Sequence, residues 1–409
     1  MNSRERILSA FAHLEPDKMP IGFGGHRSTG ISAVAYARLR DYLDLPQKTI
    51  KVYDVIQMLA VVDEDVLNYI ESDVIDLGRA FTDDKKVWHD WVIHDGVEYK
   101  IPVWIEPEVH KDGWAIRSST GKIIAKMPKG CPYFDQIYFP LEDGRLPGSN
   151  LPEIMEECMW SAIKIPGPMT STLKSDEENI EIARKFCEDT DRAIIGTFGS
   201  SLLERGCQLF RHDNFYLMLA YEPQKAKKLF GILTEYYLEN LEKYLKTYGE
   251  FIDIILFGDD LGMQTGPQIS PKMYRELFKP YHKKIWRRAK ELADIKVMLH
   301  SCGSIRAFLP DLIDAGIDGI NPVQISAHGM EADRLKADFG DKLVFWGGGC
   351  DTQKILPTGS REDIRRHVRS QIQALSPCGG FIFAQVHNIQ SDVPPENINA
   401  MIEVVKEYR

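Results

Sequence analysis

Residues 297–305 read VMLHSCGSI, an apolar run that leads into His300 and Cys302, two positions apart, and then a glycine. In extended chain, residues i and i+2 point the same way. An imidazole and a thiol would therefore share one side of a strand end. Such a pair can reach a single ion, and borderline-soft Zn²⁺ accepts the mixed nitrogen and sulfur set. The same two residues also read as a satisfied core histidine beside a small apolar cysteine. Cys350 and His387, 50 and 87 residues beyond His300, follow other apolar runs and favour the metal reading.

Other chemistry-bearing residues sit at comparable places. Asp259 and Asp260 follow the run IDIILF and Gly258. Consecutive side chains diverge in extended chain, so one aspartate is expected to cap the following loop and the other to face a pocket. There it would act as a general base, as a partner to a ligand histidine, or as a fixed negative charge. Capping by both is equally open. His26 and Arg27 follow two glycines, and the Arg27 guanidinium could grip a substrate carboxylate, although a surface loop has the same composition. Asn321, before Pro322, ends another run and is counted with them as substrate-facing. Asp351, beside Cys350, has the same ambiguity as the aspartate pair. The glycines at 347–349 lack the spacing of a phosphate-binding loop, and no Gly-x-Ser-x-Gly is present.

These residues need strands to deliver them. Apolar runs occur at 19–24, 73–77, 193–198, 252–257, 295–299, 317–320, 343–346 and 381–386. Continuous rather than alternating apolarity suits strands covered on both faces. Amphipathic helices lie between the later ones. PQKAKKLFGILTEYYLENLEKYLKTYG closes at Gly249, and SPKMYRELFKPYHKKIWRRAKELA opens on Ser270 and Pro271, with a break expected at Pro280. SREDIRRHVRSQIQAL has a capping-box spacing from Ser360. Repetition of strand and helix through eight strands predicts a (β/α)8 TIM barrel, with a doubly wound sheet as the alternative. Catalytic groups of such a barrel come from the C-terminal ends of its strands, where the residues above cluster.

Residues 82–148 break the rhythm. Asp95-Gly96 and Thr120-Gly121 lie between β-prone flanks, which predicts an antiparallel β-hairpin insertion between strands 2 and 3 of a single domain spanning 1–409. The aromatic residues of this stretch could pack, line a substrate mouth or form a subunit contact.

Bulk properties narrow the partners. Of 409 residues, 44% are hydrophobic and 27% charged, ordinary for a globular protein, and the net charge of −10 argues against nucleic acid as the main partner. The basic run RRAK at 287–290 reads as the solvated side of a helix. No apolar stretch approaches the length of a membrane span, and the N-terminal segment is charged where a signal peptide would be apolar. Seven scattered cysteines suit reduced thiols and a cytoplasmic location. A homo-oligomer is compatible with the sequence but not specified by it.

FGDDLGMQTGPQISPKMYRELFKP at 257–280, VMLHSCGSI at 297–305, FWGGGCDTQ at 345–353 and FAQVHNIQSDVPPENI at 383–398 together resemble the uroporphyrinogen decarboxylase superfamily. They resemble most its decarboxylase-like branch related to corrinoid-dependent methyltransferases. The resemblance implies a (β/α)8 barrel. It also implies zinc held by a His-x-Cys pair, matched by His300 and Cys302, and by a later cysteine near the last strand. Here the last strand ends in His387, and the late cysteine, Cys350, lies one strand earlier. Authentic porphyrinogen decarboxylases carry an arginine-rich stretch near strand 1, where this chain reads GFGGHRST with one arginine. The implied activity is zinc-dependent methyl transfer between a small substrate and a corrinoid carried by a separate protein. Metal ligands are then His300, Cys302 and Cys350, with His387 as ligand or acid/base and Asp259 or Asp260 as orienting groups. The rival reading is a metal-free decarboxylase or lyase, in which His387, Asp259 and Arg27 manage protons and carboxylates. A non-catalytic binding protein that keeps the ancestral pocket is a second rival.

Overall fold

The computed structural model describes residues 1–93, 96–170 and 174–409. Among them, seven of the eight apolar runs form one parallel sheet. Its strands are β1 (Val74–Asp76), β2 (Ala193–Gly199), β3 (Ile254–Gly258), β4 (Lys296–His300), β5 (Gly319–Asn321), β6 (Val344–Trp346) and β7 (Phe381–Ile382), each paired with the next in chain order. The chain is therefore an α/β protein with a curled parallel sheet.

The run at 19–24 does not form a regular strand. Ile21 makes a single parallel bridge to Phe383, Gly22 N donates to the Phe383 carbonyl, and Asp73 N donates to the Ile21 carbonyl. Residues 20–22 thus bond to chain continuing both edges of the sheet, beside β7 and beside β1. Glycine explains why the strand stops there. A Cβ on Gly22 would lie 2.4 Å from Nε1 of the Trp346 indole, and Gly24 turns the chain at φ +74°.

The inside of the curl is apolar, with Ile195, Leu256, Met298, Val344 and Trp346 facing one another. Helix α1 (Ser3–Phe11) adds Ile7 and Phe11 to that cluster and closes one end. Asn2 and Glu5 cap it reciprocally. Outside the sheet, α2 (Leu203–Phe210), α3 (Pro223–Tyr248), α4 (Lys279–Leu292) and the later α5 (Arg361–Leu375) bury their apolar faces in a larger core. The break expected at Pro280 is a π-helical turn, Tyr274–Phe278, that hands over to α4. Ser360 and Asp363 form the expected capping box of α5. The basic run of α4 is largely neutralised on the surface, with Arg288 on Glu242 and Lys290 on Asp318. No helix among the described residues is long and apolar enough to cross a membrane.

Between β1 and β2 the chain forms antiparallel pairs. Trp88–Val92 pairs with Glu98–Pro102, and a four-strand meander runs from Glu108–His110 through Gly113–Arg117 and Ile123–Pro128 to Asp135–Gln136. Asp95 of the predicted Asp95-Gly96 turn lies outside the described residues. Glu98–Pro102 also pairs in parallel with Ile50–Asp54, a segment the sequence reading did not count as a strand. Its burial alternates along IKVYD, so a search for continuous apolar runs passes over it. Trp91 and Trp114 meet edge to face at 5.4 Å and join this mixed sheet to the antiparallel meander.

A buried ion network ties the chain ends to the sheet. Asp73, fully buried, accepts from Arg6 Nη1 at 2.6 Å, from Arg409 Nη1 at 2.6 Å and from Ile21 N at 2.9 Å. Removing the carboxylate would leave Arg6 with only the half-exposed Asp17 and Arg409 with only the exposed Glu71, and would orphan the Ile21 N–H. Asp73→Ala is expected to lower unfolding free energy by about 3–5 kcal/mol in urea titrations. A loss below ~1 kcal/mol would show that the network is not a structural tie.

Candidate active site

The register of the parallel sheet sets the site. Gly258 of β3 lies opposite His300 of β4, and His300 lies opposite Asn321 of β5, so three strand ends reach one level. Asn321 Nδ2 donates to the Trp346 carbonyl at 3.2 Å, which turns Oδ1 toward His300 Nδ1 at 2.9 Å. Nδ1 therefore carries the ring proton, and Nε2 keeps its lone pair for a ligand. Asn321, fully buried, is thus a support for His300 and not the substrate-facing residue expected from the sequence.

Nε2 of His300 lies 3.5 Å from Cys302 Sγ. The ring of His387 meets that of His300 edge to face at 5.4 Å, and donor atoms of His300, Cys302 and His387 all fall within 4.8 Å of one another. With Zn–S near 2.3 Å and Zn–N near 2.0–2.1 Å, tetrahedral bonds separate sulfur from nitrogen by about 3.5 Å. The His300–Cys302 pair already has that spacing, so the residues fit a zinc ion.

Cys350 is not part of this group. It is fully buried in the outer core, and burial, then Asp351, push its thiol well above the ordinary range. The chain after β6 continues as an extended edge beside residues 383–386, with Cys350 bridged to Gln385, and this turns the thiol into the core. His387, on the next strand end, occupies the place expected for the late cysteine. The glycines at 347–349 serve the same close approach: a Cβ on Gly349 would meet the Phe383 ring at 2.3 Å, and one on Gly348 would meet Val323 at 2.9 Å. Asp351 accepts from Gln353 N and shapes the turn.

The two aspartates divide their work. Asp259 is fully buried, and its carboxylate accepts from the backbone N–H groups of Leu202, Leu203 and Glu204 and from His282 Nε2, all at 3.0–3.1 Å. It caps α2 from a neighbouring strand end and has no face toward the pocket, which corrects its expected catalytic role. His282 Nδ1 in turn accepts from the Tyr274 hydroxyl at 3.2 Å. Asp260 accepts from Cys302 N at 2.7 Å and lies 3.8 Å from His300 Nε2, at the edge of the donor group.

A cavity of about 680 Å³ opens over these residues, lined among others by Arg27, Trp160, Glu204, Asp260, His300 and His387. Trp160, Glu204, Gln57 and Gln208 also border a second cavity of about 580 Å³ beside the antiparallel segment. Arg27 is fixed by Asp54 at 2.6 Å and stacks on Trp160 at 4.8 Å. His26 is buried, packs edge to face on Trp346 at 5.3 Å, and accepts from Ser28 N through Nδ1.

Electrostatics favour neutral donors in the protein alone. Burial, with His300 nearby, holds His387 down to about 3, so its imidazole is neutral at pH 7. Burial, then His300 and His387, holds His26 down to about 3 as well. Burial, then Asp260 and Glu204, push the Cys302 thiol well above its ordinary value. A divalent cation among the donors would reverse that shift, because the thiolate is the ligating form.

Sequence reasoning missed Glu204. Burial, then Asp260 and Asp259, push its carboxyl well above the usual range and favour the protonated form. The signal was an acid in the first turn of a helix directly after a strand of the parallel sheet. Asp76 was also missed: burial raises it to about 6 at the end of β1, where an acid closes an otherwise apolar run.

Because Asn321 fixes the His300 tautomer, Asn321→Ala is expected to lower zinc affinity roughly 10–100-fold with the fold intact. Competition against a chromophoric chelator measures it, and an unchanged affinity would remove Asn321 from the site.

A family model described as uroporphyrinogen decarboxylase (URO-D) matches residues 141–408. A curated uroporphyrinogen decarboxylase from Chlorobium limicola is 26% identical over 196 residues, 46% of this chain and 51% of that protein. The match thus spans about half the length of that relative. In structure, a methyltransferase from Methanosarcina mazei covers 100% of this chain and 99% of its own, with a TM-score of 0.58 and 16% identity, a likeness of fold. The chain belongs to the uroporphyrinogen decarboxylase family.

Proposed function

We propose that the protein is a zinc-dependent methyltransferase that moves a methyl group between a small substrate and a corrinoid held by a separate protein. The observation that carries the reading is the His300–Cys302–His387 donor group beneath a cavity large enough for a substrate. A mixed nitrogen and sulfur set with room for a further ligand suits catalytic zinc better than a metal-free acid–base site. When bound in such a site, zinc would supply Lewis acidity to stabilise a thiol sulfur, or an alcohol or ether oxygen, of the substrate as it gains or loses the methyl group.

The residues of the chain have separate tasks. His300, Cys302 and His387 hold the ion, and Asn321 fixes which nitrogen of His300 faces it. Asp260 braces the Cys302 backbone and adds a negative charge beside the donors. Arg27 and Trp160 line the same cavity, where substrate is oriented. Glu204 holds a proton close to Asp260, placed to give it to a leaving heteroatom or, in the reverse direction, to take one from an attacking heteroatom. On this reading residues 1–409 act as one (β/α)8 barrel unit with 82–148 set between its second and third strands. The corrinoid partner follows from the motif resemblance at 257–280, 297–305, 345–353 and 383–398, and seven unpaired cysteines suit the cytoplasm.

The acidic residues and Arg27 around the same cavity keep metal-free decarboxylation as the second reading, in line with the family's name. Metal analysis separates the two. The purified, reduced protein is expected to carry about one zinc per chain, with one ion shared by the three donors. Cys302→Ala should lose both the zinc and methyl transfer to a cobalamin acceptor, while Cys350→Ala keeps both. Carbon dioxide release that survives chelation, or zinc loss in Cys350→Ala with retention in Cys302→Ala, would overturn the assignment.

A further inference from the structure

His300 and His387 are held in different ways. The Asn321 side chain accepts from the His300 ring, whereas among the described residues no group makes a hydrogen bond with the His387 ring. His387 also lies beyond Ile382, where β7 and the regular ladder of the parallel sheet have ended. Its place must therefore come from the chain on either side of it.

That chain is pinned to the segment after residues 20–22. Ile389 N donates to the Gly30 carbonyl at 3.1 Å, and Gln385 Nε2 donates to the same carbonyl at 3.2 Å. Between them stands Asn388, only 2% exposed. Its Oδ1 accepts from Gly30 N at 2.8 Å, and its Nδ2 donates to Gln57 Oε1 at 3.2 Å. Gln57 Nε2 donates in turn to Asp54 Oδ2 at 2.9 Å, and the same oxygen accepts from Arg27 Nε at 2.6 Å. Every donor in this series meets an acceptor, so the orientation of both amides is fixed. A satisfied buried network resists displacement, because a shift strands a donor or an acceptor away from water. The series runs from the neighbour of one metal donor to a guanidinium that lines the large cavity.

We propose that Asn388 is a positioning residue for His387. Bonded to Gly30 on one side and to Gln57 and Asp54 on the other, it fixes where the imidazole stands beside His300 and Cys302 and how far it stands from Arg27. The inference rests on the reading of His300, Cys302 and His387 as metal donors. It gives the segment at 50–57, which lies outside the parallel sheet, a part in building that donor group.

Cobalt(II) titration of the reduced full chain tests it, with His387→Ala as the reference for loss of that donor. Asn388→Ala is expected to bind cobalt roughly tenfold or more weakly. Its visible d–d bands should shift toward those of His387→Ala, while the near-ultraviolet thiolate-to-cobalt band from Cys302 persists. Gln57→Ala leaves the Gly30 N–H paired, so it should move the affinity and the bands in the same direction by less. Wild-type affinity and bands in Asn388→Ala would overturn the proposal. Should that variant fail to fold, wild-type affinity and bands in Gln57→Ala would do the same. Crystal structures of metal-free wild type and Asn388→Ala make the comparison without an ion. In the variant the His387 ring is expected to leave its edge-to-face place against His300, and an unmoved ring refutes the positioning role. A displaced ring in a protein that binds neither cobalt nor zinc would uphold the positioning role and count against the zinc reading alone.

Discussion

Parallel pairing of β3, β4 and β5 is the constraint on which the site depends. Once Gly258 faces His300 and His300 faces Asn321, every neighbour of the imidazole is decided. A slip of one residue would send His300 to the other side of the sheet, toward the helices. The register also brings the loop after β3 against the end of β4, so that Asp260 meets the backbone of Cys302. Side chains from several strands then converge without any one segment being unusual.

The same geometry explains how two adjacent carboxylates serve different ends. Asp259 turns inward and takes three backbone donors from the start of α2, which anchors the helix that carries Glu204. Asp260 turns outward to the donor group. Behind Asp259, the His282 and Tyr274 hydrogen bonds extend the anchor into α4 and the π-helical turn before it. The helix layer is thus tied to the strand end directly beside the donors, which keeps the site from drifting as the surface moves.

Family membership and local chemistry contribute at different levels. The family match covers residues 141–408 and places the chain in an enzyme family. It does not by itself bring His387, rather than the late cysteine Cys350, beside His300 and Cys302; that grouping of two nitrogen donors and one sulfur follows from how the strand ends pack.

The sequence by itself determined the strand count to within one, the amphipathic helices with their caps, and the His300–Cys302 pair, because each is local: periodicity, capping residues and i, i+2 alternation act over a few positions. It could not decide between Cys350 and His387, because the direction of a side chain just beyond a strand depends on what packs against it. Nor could it divide Asp259 from Asp260, since the N–H groups that claim Asp259 come from residues 202–204, far away in sequence. Asn321 was legible as a polar strand end, but its work on His300 follows only from register. The strand at 50–54 was passed over because its buried residues alternate instead of running continuously, and its parallel pairing with Glu98–Pro102 follows only from tertiary packing.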